Sequence, residues 1–381
     1  MKTNPFVFGT IVGDENFADR KNELKELTSD LSSRTNLIIF SPRRYGKTSL
    51  IFKVIEQLQK KGIICAYVDL YPAATKEKFA NIFASSIARA KAGKMDEIIH
   101  AIRDLIPPVK LTLRPEGTSE YEGGVELELS HGKNDVDSNL TKLYDLPEKI
   151  AKKKNKKMVV VFDEFQEIGK LDGTEIENNL RSKIQRHKNV SYVFMGSQRH
   201  LLDQMFNDKN RALYRAGKPF NLGRIPEEEF GTFIKERFKA GGINVSEEVI
   251  SKILQLTQCH PYYTQQLCHE IWNYCMSQDS KSIEERDVLK AKEQVMKNQN
   301  YAYTSMWDST RGRHRALLLA MAISDEKGIF SSKFRERHRL GAPSTVARAA
   351  DALEEKGLIE KDGNDYVVSD TFFQEWIRKI S

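Results

Sequence analysis

"SPRRYGKTSL", residues 41–50, follows the apolar run NLIIF at 36–40, and its reading decides the fold. A loop that cradles phosphate needs a buried strand, backbone N–H groups turned inward, a lysine, and a hydroxyl for a divalent cation. NLIIF supplies the strand, Gly46 the close backbone approach, Lys47 a point charge for the β- and γ-phosphates, and Thr48 the hydroxyl. A helix over Thr48–Lys60 then aims its N-terminus at the phosphates. Ser41 stands where the pattern usually has glycine. That glycine mainly eases the turn out of the strand, so a small serine serves there provided its φ is not positive. Ser41, Pro42, Arg43, Arg44, Tyr45 and Gly46, with Lys47, Thr48 and Ser49, are therefore the candidate nucleotide contacts.

The matching half is MVVVFDEFQEI at 158–168. Its apolar run delivers Asp163 to the carboxyl end of a strand, the edge at which open parallel sheets bind ligands. Asp163 and Thr48 are the candidate Mg²⁺ ligands, and Glu164 is the carboxylate placed to polarise an attacking water. An Asp-Glu pair alone is commonplace in solvated loops. Directly after an apolar run, and about 115 residues beyond the GKT, it completes a nucleotide site.

Outward from these two stretches, strand and helix signals alternate. Strands are expected at 36–41, 62–70, 158–162, 190–197 and 218–222, and helices at Glu23–Leu31, Thr48–Lys60, Lys76–Arg89, Ser138–Lys153 and Glu175–Arg186. This alternation predicts an α/β fold, a parallel sheet covered on both faces. VKLTLRPEGTSEYEGGVELELS (109–130) alternates at period two and predicts a β-hairpin inserted at about 108–132, either a surface embellishment or a contact arm. The lysine run KKKNKK (152–157) reads as a solvated loop at the edge of the sheet away from ligands. After Pro226 the patterns are helical, with Ser246 as a start signal. The polar stretch KEQVMKNQNYAYT then separates a third segment of three helices and a two-stranded wing turning at Asp362-Gly363-Asn364. The expected division is a P-loop nucleotide-binding domain over 1–225, a helical domain over 226–295 and a winged-helix domain over 296–381.

In combination, PRRYGKTSL, VVVFDEFQEI, VFMGSQRHLLDQMF and HPYYTQQLCHEIW resemble the prokaryotic archaeal-type ATPases of the AAA+/STAND group. FADRKNELKEL (17–27) resembles that family's opening box, and the resemblance spans about residues 5–290. It implies an additional strand between the P-loop strand and the Asp-Glu strand, ATP as the nucleotide, and Glu164 as the catalytic carboxylate beside Lys47. It further implies a first sensor at Ser197 or Gln198 and a γ-phosphate-sensing arginine, Arg215 before Arg211. The same resemblance makes residues 1–225 a P-loop ATPase domain and 226–295 a helical lid. His260 and Pro261 resemble a lid motif that approaches the nucleotide. Two departures stand out. Cys259 replaces a glycine frequently seen in that motif, and no arginine follows as far as Ser277, which counts against ring-type communication. Arg43 and Arg44 would contact the nucleotide or pair with acidic residues of the lid.

The bulk composition bounds the rest. The longest apolar run, Ala316 to Ile323, is far short of the roughly 20 residues needed to span a bilayer. The N-terminus lacks the basic-then-apolar pattern of a secretory signal, and four cysteines do not make a disulfide framework, so a cytoplasmic setting is expected. Cys259, Cys268 and Cys275 near His260 and His269 fit no common zinc spacing. A net charge of +7 permits an anionic partner without demanding one. Residues 311–350 carry nine Lys/Arg against three acidic residues, whereas 351–381 carry four against eight. Lys333, Arg335, Arg337, Arg339 and Arg348 are the candidate duplex-DNA contacts, with a protein partner and an oligomer left open. The expected function is a Mg²⁺-dependent ATP-hydrolysing switch, binding ATP and ADP, whose winged-helix tail docks DNA or protein. The alternative is a DNA-binding winged-helix protein that keeps nucleotide as a structural clamp.

Overall fold

The computed structural model describes residues 3–11, 13, 17–18, 20–90, 100, 110–113, 125–128, 136–324, 326, 328–363 and 365–381. The chain divides into two compact units, Arg20–Gly223 and Met1–Asp19 with Arg224–Ser381.

The first unit is built on five parallel strands: β1 (Leu37–Phe40), β2 (Ile64–Asp69), β5 (Met158–Asp163), β6 (Val190–Gly196) and β7 (Lys218–Asn221). Their spatial order is β2-β5-β6-β1-β7. The strand expected between the P-loop strand and the Asp-Glu strand is therefore present as β6, which pairs with β1 on one side and β5 on the other. β1, β5 and β6 are buried along their whole length, as strands covered on both faces must be. Phe162 stacks on Phe83, Tyr192 and Phe194, and Phe165 packs edge-on against Phe194 with ring centroids 4.7 Å apart. Rigid aromatic contacts thus brace the chain on both sides of Asp163 and Glu164.

Around the sheet lie α1 (Lys21–Ser32), α2 (Lys47–Lys60) and α3 (Lys76–Arg89), close to expectation. The single helix expected over Ser138–Lys153 is instead two, α4 (Val136–Leu143) and α5 (Leu146–Lys154). Pro147 is the cause: it sits in the first turn of α5, where its missing N–H costs nothing, and it could not continue a helix from upstream. The lysine run is also more ordered than expected. Lys152–Lys154 form the last turn of α5, favourable to its dipole, and Asn155 closes it at φ 48°. Next come α6 (Gly173–Ile184) and α7 (Arg199–Asn207). The inserted hairpin has strands β3 (Lys110–Leu113) and β4 (Val125–Glu128), antiparallel with Leu111 opposite Leu127. Val109, Leu129 and the hairpin turn lie outside the described residues.

The second unit holds α8 (Glu227–Ala240), α9 (Glu247–Thr257), α10 (Pro261–Ser277) and α11 (Glu285–Asp308). Ser246 caps α9 by accepting the Val249 N–H, as its sequence position predicts. The polar stretch KEQVMKNQNYAYT is not a separator but the middle of α11. Its buried stripe of Val288, Ala291, Val295, Met296 and Tyr303 recurs at helical spacing among polar residues. The expected three helices and wing follow as α12 (Gly312–Ile323), α13 (Ser332–Arg337), α14 (Pro343–Glu355), β8 (Ile359–Asp362) and β9 (Asp365–Val368). A terminal helix, α15 (Thr371–Ile380), is an addition; it buries Phe372, Phe373, Trp376 and Ile377, and the Asp370 carboxylate caps it. One apolar core runs through all of this unit and takes in Phe6 from the N-terminal segment.

Candidate nucleotide site

The site is the carboxyl edge of the sheet. β1 ends at Phe40 opposite Gly196 of β6, and β2 and β5 end together at Asp69 and Asp163. Every strand therefore delivers its following residue to one edge. Between Phe40 and α2, the loop 41–46 turns through two left-handed positions, Arg44 at φ 67° and Gly46 at φ 81°. Ser41 is fully buried and its φ is not positive, which is why serine serves there. Gly46 is required by its φ, and a Cβ built on it would meet nothing within 4 Å.

Lys47, the first residue of α2, is buried with its Nζ 3.8 Å from Asp163 Oδ1 and 3.8 Å from Glu164 Oε1. Asp163 Oδ2 accepts from Thr48 Oγ1 at 3.3 Å and from the Tyr67 hydroxyl at 2.5 Å. Burial first, then the Asp163 charge, pushes the Tyr67 hydroxyl far above the ordinary tyrosine range, so it remains a donor. Glu164 takes a left-handed backbone at φ 49°. Its Oε2 accepts from the Ser197 N–H at 3.1 Å, Ser197 Oγ at 2.8 Å and Gln166 Nε2 at 2.5 Å. Burial alone would raise the Glu164 carboxyl. The Lys47 ammonium and the bonds from Gln166 and Ser197 outweigh it and hold the group below the usual glutamate value. Arg43 Nε reaches Ser197 Oγ at 3.4 Å, extending the chain from the acid to the loop.

These residues fit a magnesium nucleotide. Thr48 and Asp163 offer a hard oxygen pair of the kind Mg²⁺ prefers, already within hydrogen-bond distance of each other. Lys47 is a buried cation, and the start of the 14-residue α2 presents N–H groups that the helix itself cannot satisfy. Bound there, the metal would neutralise phosphate charge, and the chain's residues would hold and orient the ligand.

A family model described as the ATPase domain predominantly from Archaea matches residues 17–267, well over half of the chain. This chain belongs to that family. A second model, for a probable winged helix domain, matches residues 301–379. An uncharacterized ATP-binding protein of Methanocaldococcus jannaschii is 23% identical over 237 residues, covering 58% of this chain and 62% of its own length. The chain thus spans less than two thirds of that curated relative. Among solved structures, the Walker-type ATPase of Pyrococcus abyssi is 17% identical, with a TM-score of 0.61 over 96% of this chain and 97% of its own. The Aeropyrum pernix ORC2 protein, in ADPNP-ADP complexes, is 14% identical with a TM-score of 0.56 over 100% and 97%. At these identities the likeness is one of fold: a P-loop ATPase sheet with a C-terminal winged helix.

The archaeal-type ATPase domain brings Lys47, Thr48, Asp163, Glu164 and Ser197 into one cluster, as the sequence predicts. Gln198 precedes α7 and has no part in that network of bonds. Arg215 is exposed at φ 51° with its guanidinium over the Tyr214 ring, 5.2 Å from the centroid. Arg211 is instead bound in a two-pronged ion pair with the buried Glu177, which ties it into the fold. In the second unit His260 is buried, caps α10 by accepting the Tyr262 N–H at 3.2 Å, and lies against the Tyr263 ring. Pro261 opens that helix. Cys259 has φ 56°, which explains physically why a glycine suits that position. Three participants were missed by sequence reasoning. Tyr67 holds Asp163, Gln166 holds Glu164, and Gly196 leaves the room that Gln166 occupies, since a Cβ there would fall 1.9 Å from Gln166 Oε1. No local signal marked Gln166, which stands in FQEIGK beside the equally polar Glu167.

Proposed function

We propose that this ATPase domain binds ATP with Mg²⁺ and hydrolyses it, acting as a molecular switch of the AAA+/STAND type. The observation that carries this reading is the Lys47–Asp163–Glu164 cluster, in which one buried ammonium faces both a metal-ligand carboxylate and a separate carboxylate for water. Mg²⁺, held by Thr48 and Asp163, would supply charge neutralisation at the phosphates. Lys47 orients the terminal phosphates, Ser41–Ser49 cradle them, and Glu164, kept ionised by Lys47, accepts a proton from the attacking water. Ser197 holds Glu164 in register, and Arg215 is the exposed arginine available to sense the γ-phosphate. The division into an ATPase domain (1–225), a lid (226–295) carrying His260 and Pro261, and a winged-helix tail (296–381) belongs to the same proposal.

The tail docks duplex DNA or a protein. Its basic residues are partly spent within the fold: Glu326 pairs with Lys333 and Arg337, and Arg335 donates to the Phe330 and Gly341 carbonyls. Arg339 and Arg348 are exposed. If phosphates supply the binding energy, affinity for a duplex falls steeply with salt; docking on a protein shows no such slope.

A second reading, nucleotide as a clamp with little turnover, is favoured by the three donors that pin Glu164 Oε2. Steady-state ATP hydrolysis of wild type beside Glu164→Gln, with ATP binding measured in parallel, separates the two. Turnover lost in the variant while ATP still binds supports the hydrolase. Binding without turnover in either protein supports the clamp, and absence of binding in wild type overturns both.

A further inference from the structure

Arg20 is the first residue of the sheet unit and Gly223 is its last, so the chain's two links to the second unit leave beside these residues. Arg20 is almost fully buried, at 2% exposure. One guanidinium nitrogen donates to the Gly223 carbonyl at 2.9 Å and to the Tyr45 carbonyl at 3.1 Å, while the other donates to Glu23 Oε1 at 3.1 Å. Tyr45 directly precedes Gly46, the left-handed residue of the phosphate loop. A single charged fork therefore fastens three points of backbone: the incoming link, the outgoing link and the phosphate loop. Burying a guanidinium is costly unless its donors are satisfied, so this arrangement is held as a unit.

The geometry points to Arg20 as a positioning residue that couples the phosphate loop to both interdomain links. Its bond to the loop is to the Tyr45 carbonyl, and its role is to position that backbone. A shift of that carbonyl on nucleotide binding changes the bond to Arg20 and with it the hold on Gly223 and on the start of α1. The inference rests on the proposed nucleotide site and says how occupancy of that site is transmitted.

The test is hydrogen exchange on the full chain with and without Mg²⁺ and the β,γ-imido analogue of ATP, read at residues 46–49 and at the links near 20 and 223. Wild type should show protection at 46–49 and a change at both links, rising together with analogue concentration, roughly fivefold or more in rate. Arg20→Lys keeps the charge but has neither the length nor the planar geometry by which one guanidinium nitrogen reaches both carbonyls. It should keep protection at 46–49 while the response at both links falls below about twofold. Glu23→Gln leaves the two carbonyl bonds intact and should respond as wild type does. Protection at 46–49 with neither link responding, or with only one, overturns the inference in wild type alone, whatever the variants' stability. An equal link response in wild type and Arg20→Lys, or its loss in Glu23→Gln, overturns it as well. No protection at 46–49 in wild type would remove the nucleotide reading itself, and the inference with it.

Discussion

Replacing Lys47 with methionine keeps most of the buried stem and removes the ammonium that faces Asp163 and Glu164. At 3.8 Å each contact is worth about 4 kcal/mol of attraction at an effective dielectric of about 20. The cost of burying the lysine offsets much of that sum, but truncation also strands two carboxylates, so a net loss of about 3 kcal/mol at neutral pH is expected. The pH dependence is the sharper test. In wild type the Glu164 carboxyl is held below its ordinary value, so its contribution is present above the unfolded value and is lost as pH falls through the folded one. Without Lys47 the opposing effect of burial moves the folded value upward, and the variant regains stability as Glu164 takes up a proton. The gap between wild type and Lys47→Met is therefore widest near neutral pH and closes as pH falls through the usual glutamate range. All three tryptophans, Trp272, Trp307 and Trp376, lie outside the sheet unit, so exchange of the β5 amides is the appropriate measure of its stability. A gap that is constant with pH, or that grows toward acid, would refute the claim that Lys47 holds Glu164 ionised.

Tyr67→Phe removes a donor from Asp163 without leaving an orphan, so the carboxylate meets Mg²⁺ with one competitor fewer. The Mg²⁺ concentration for half-maximal ATP binding should fall on the order of tenfold, read by titration of a fluorescent ATP analogue. Cys259→Gly relieves a left-handed backbone and should stabilise the second unit by about 1 kcal/mol, seen as a higher melting temperature by tryptophan fluorescence. Glu326→Gln releases Lys333 and Arg337; if the tail docks a duplex, affinity should rise severalfold at low salt with a steeper salt dependence. Unchanged binding in that variant would place the docking surface elsewhere.

What could be read from the sequence was whatever depends on short-range pattern. β1, β2, β5 and β6 are apolar runs with turn residues behind them, and the acid pair follows its run directly, so these strands and the candidate site's edge were legible together. The break before Leu146 was missed by the single helix expected over Ser138–Lys153, although Pro147, which cannot lie inside a helix, marks it. The middle of α11 was harder to see. Between Val288 and Tyr303 its buried stripe is diluted by lysines, asparagines and glutamines, and local polarity masked the helical period. The bonds of Tyr67 and Gln166 were not legible at all. Tyr67 and Asp163 are 96 residues apart and meet only through the register of β2 on β5, which no local pattern encodes. Arg211 shows the converse: its place in the sequence suits a phosphate sensor, but a glutamate 34 residues upstream claims it in the fold.

The charges at the sheet edge suggest the order in which ligands are tolerated. One ammonium and two carboxylates leave the Lys47–Asp163–Glu164 cluster with net negative charge, an environment that repels a bare triphosphate and attracts a divalent cation. With Mg²⁺ and ATP as the proposed ligands, the metal and the phosphates would be better accommodated as a complex than in turn. This also gives Arg43 and Arg44 a reason to be in the loop. Both are exposed, and Arg44 accepts a strained left-handed backbone to be there, in a position where glycine would cost less. Two extra cations at the mouth of the loop compensate a site whose interior is acidic. Under the proposed nucleotide reading, these two arginines belong to the loop's electrostatic fit to phosphate.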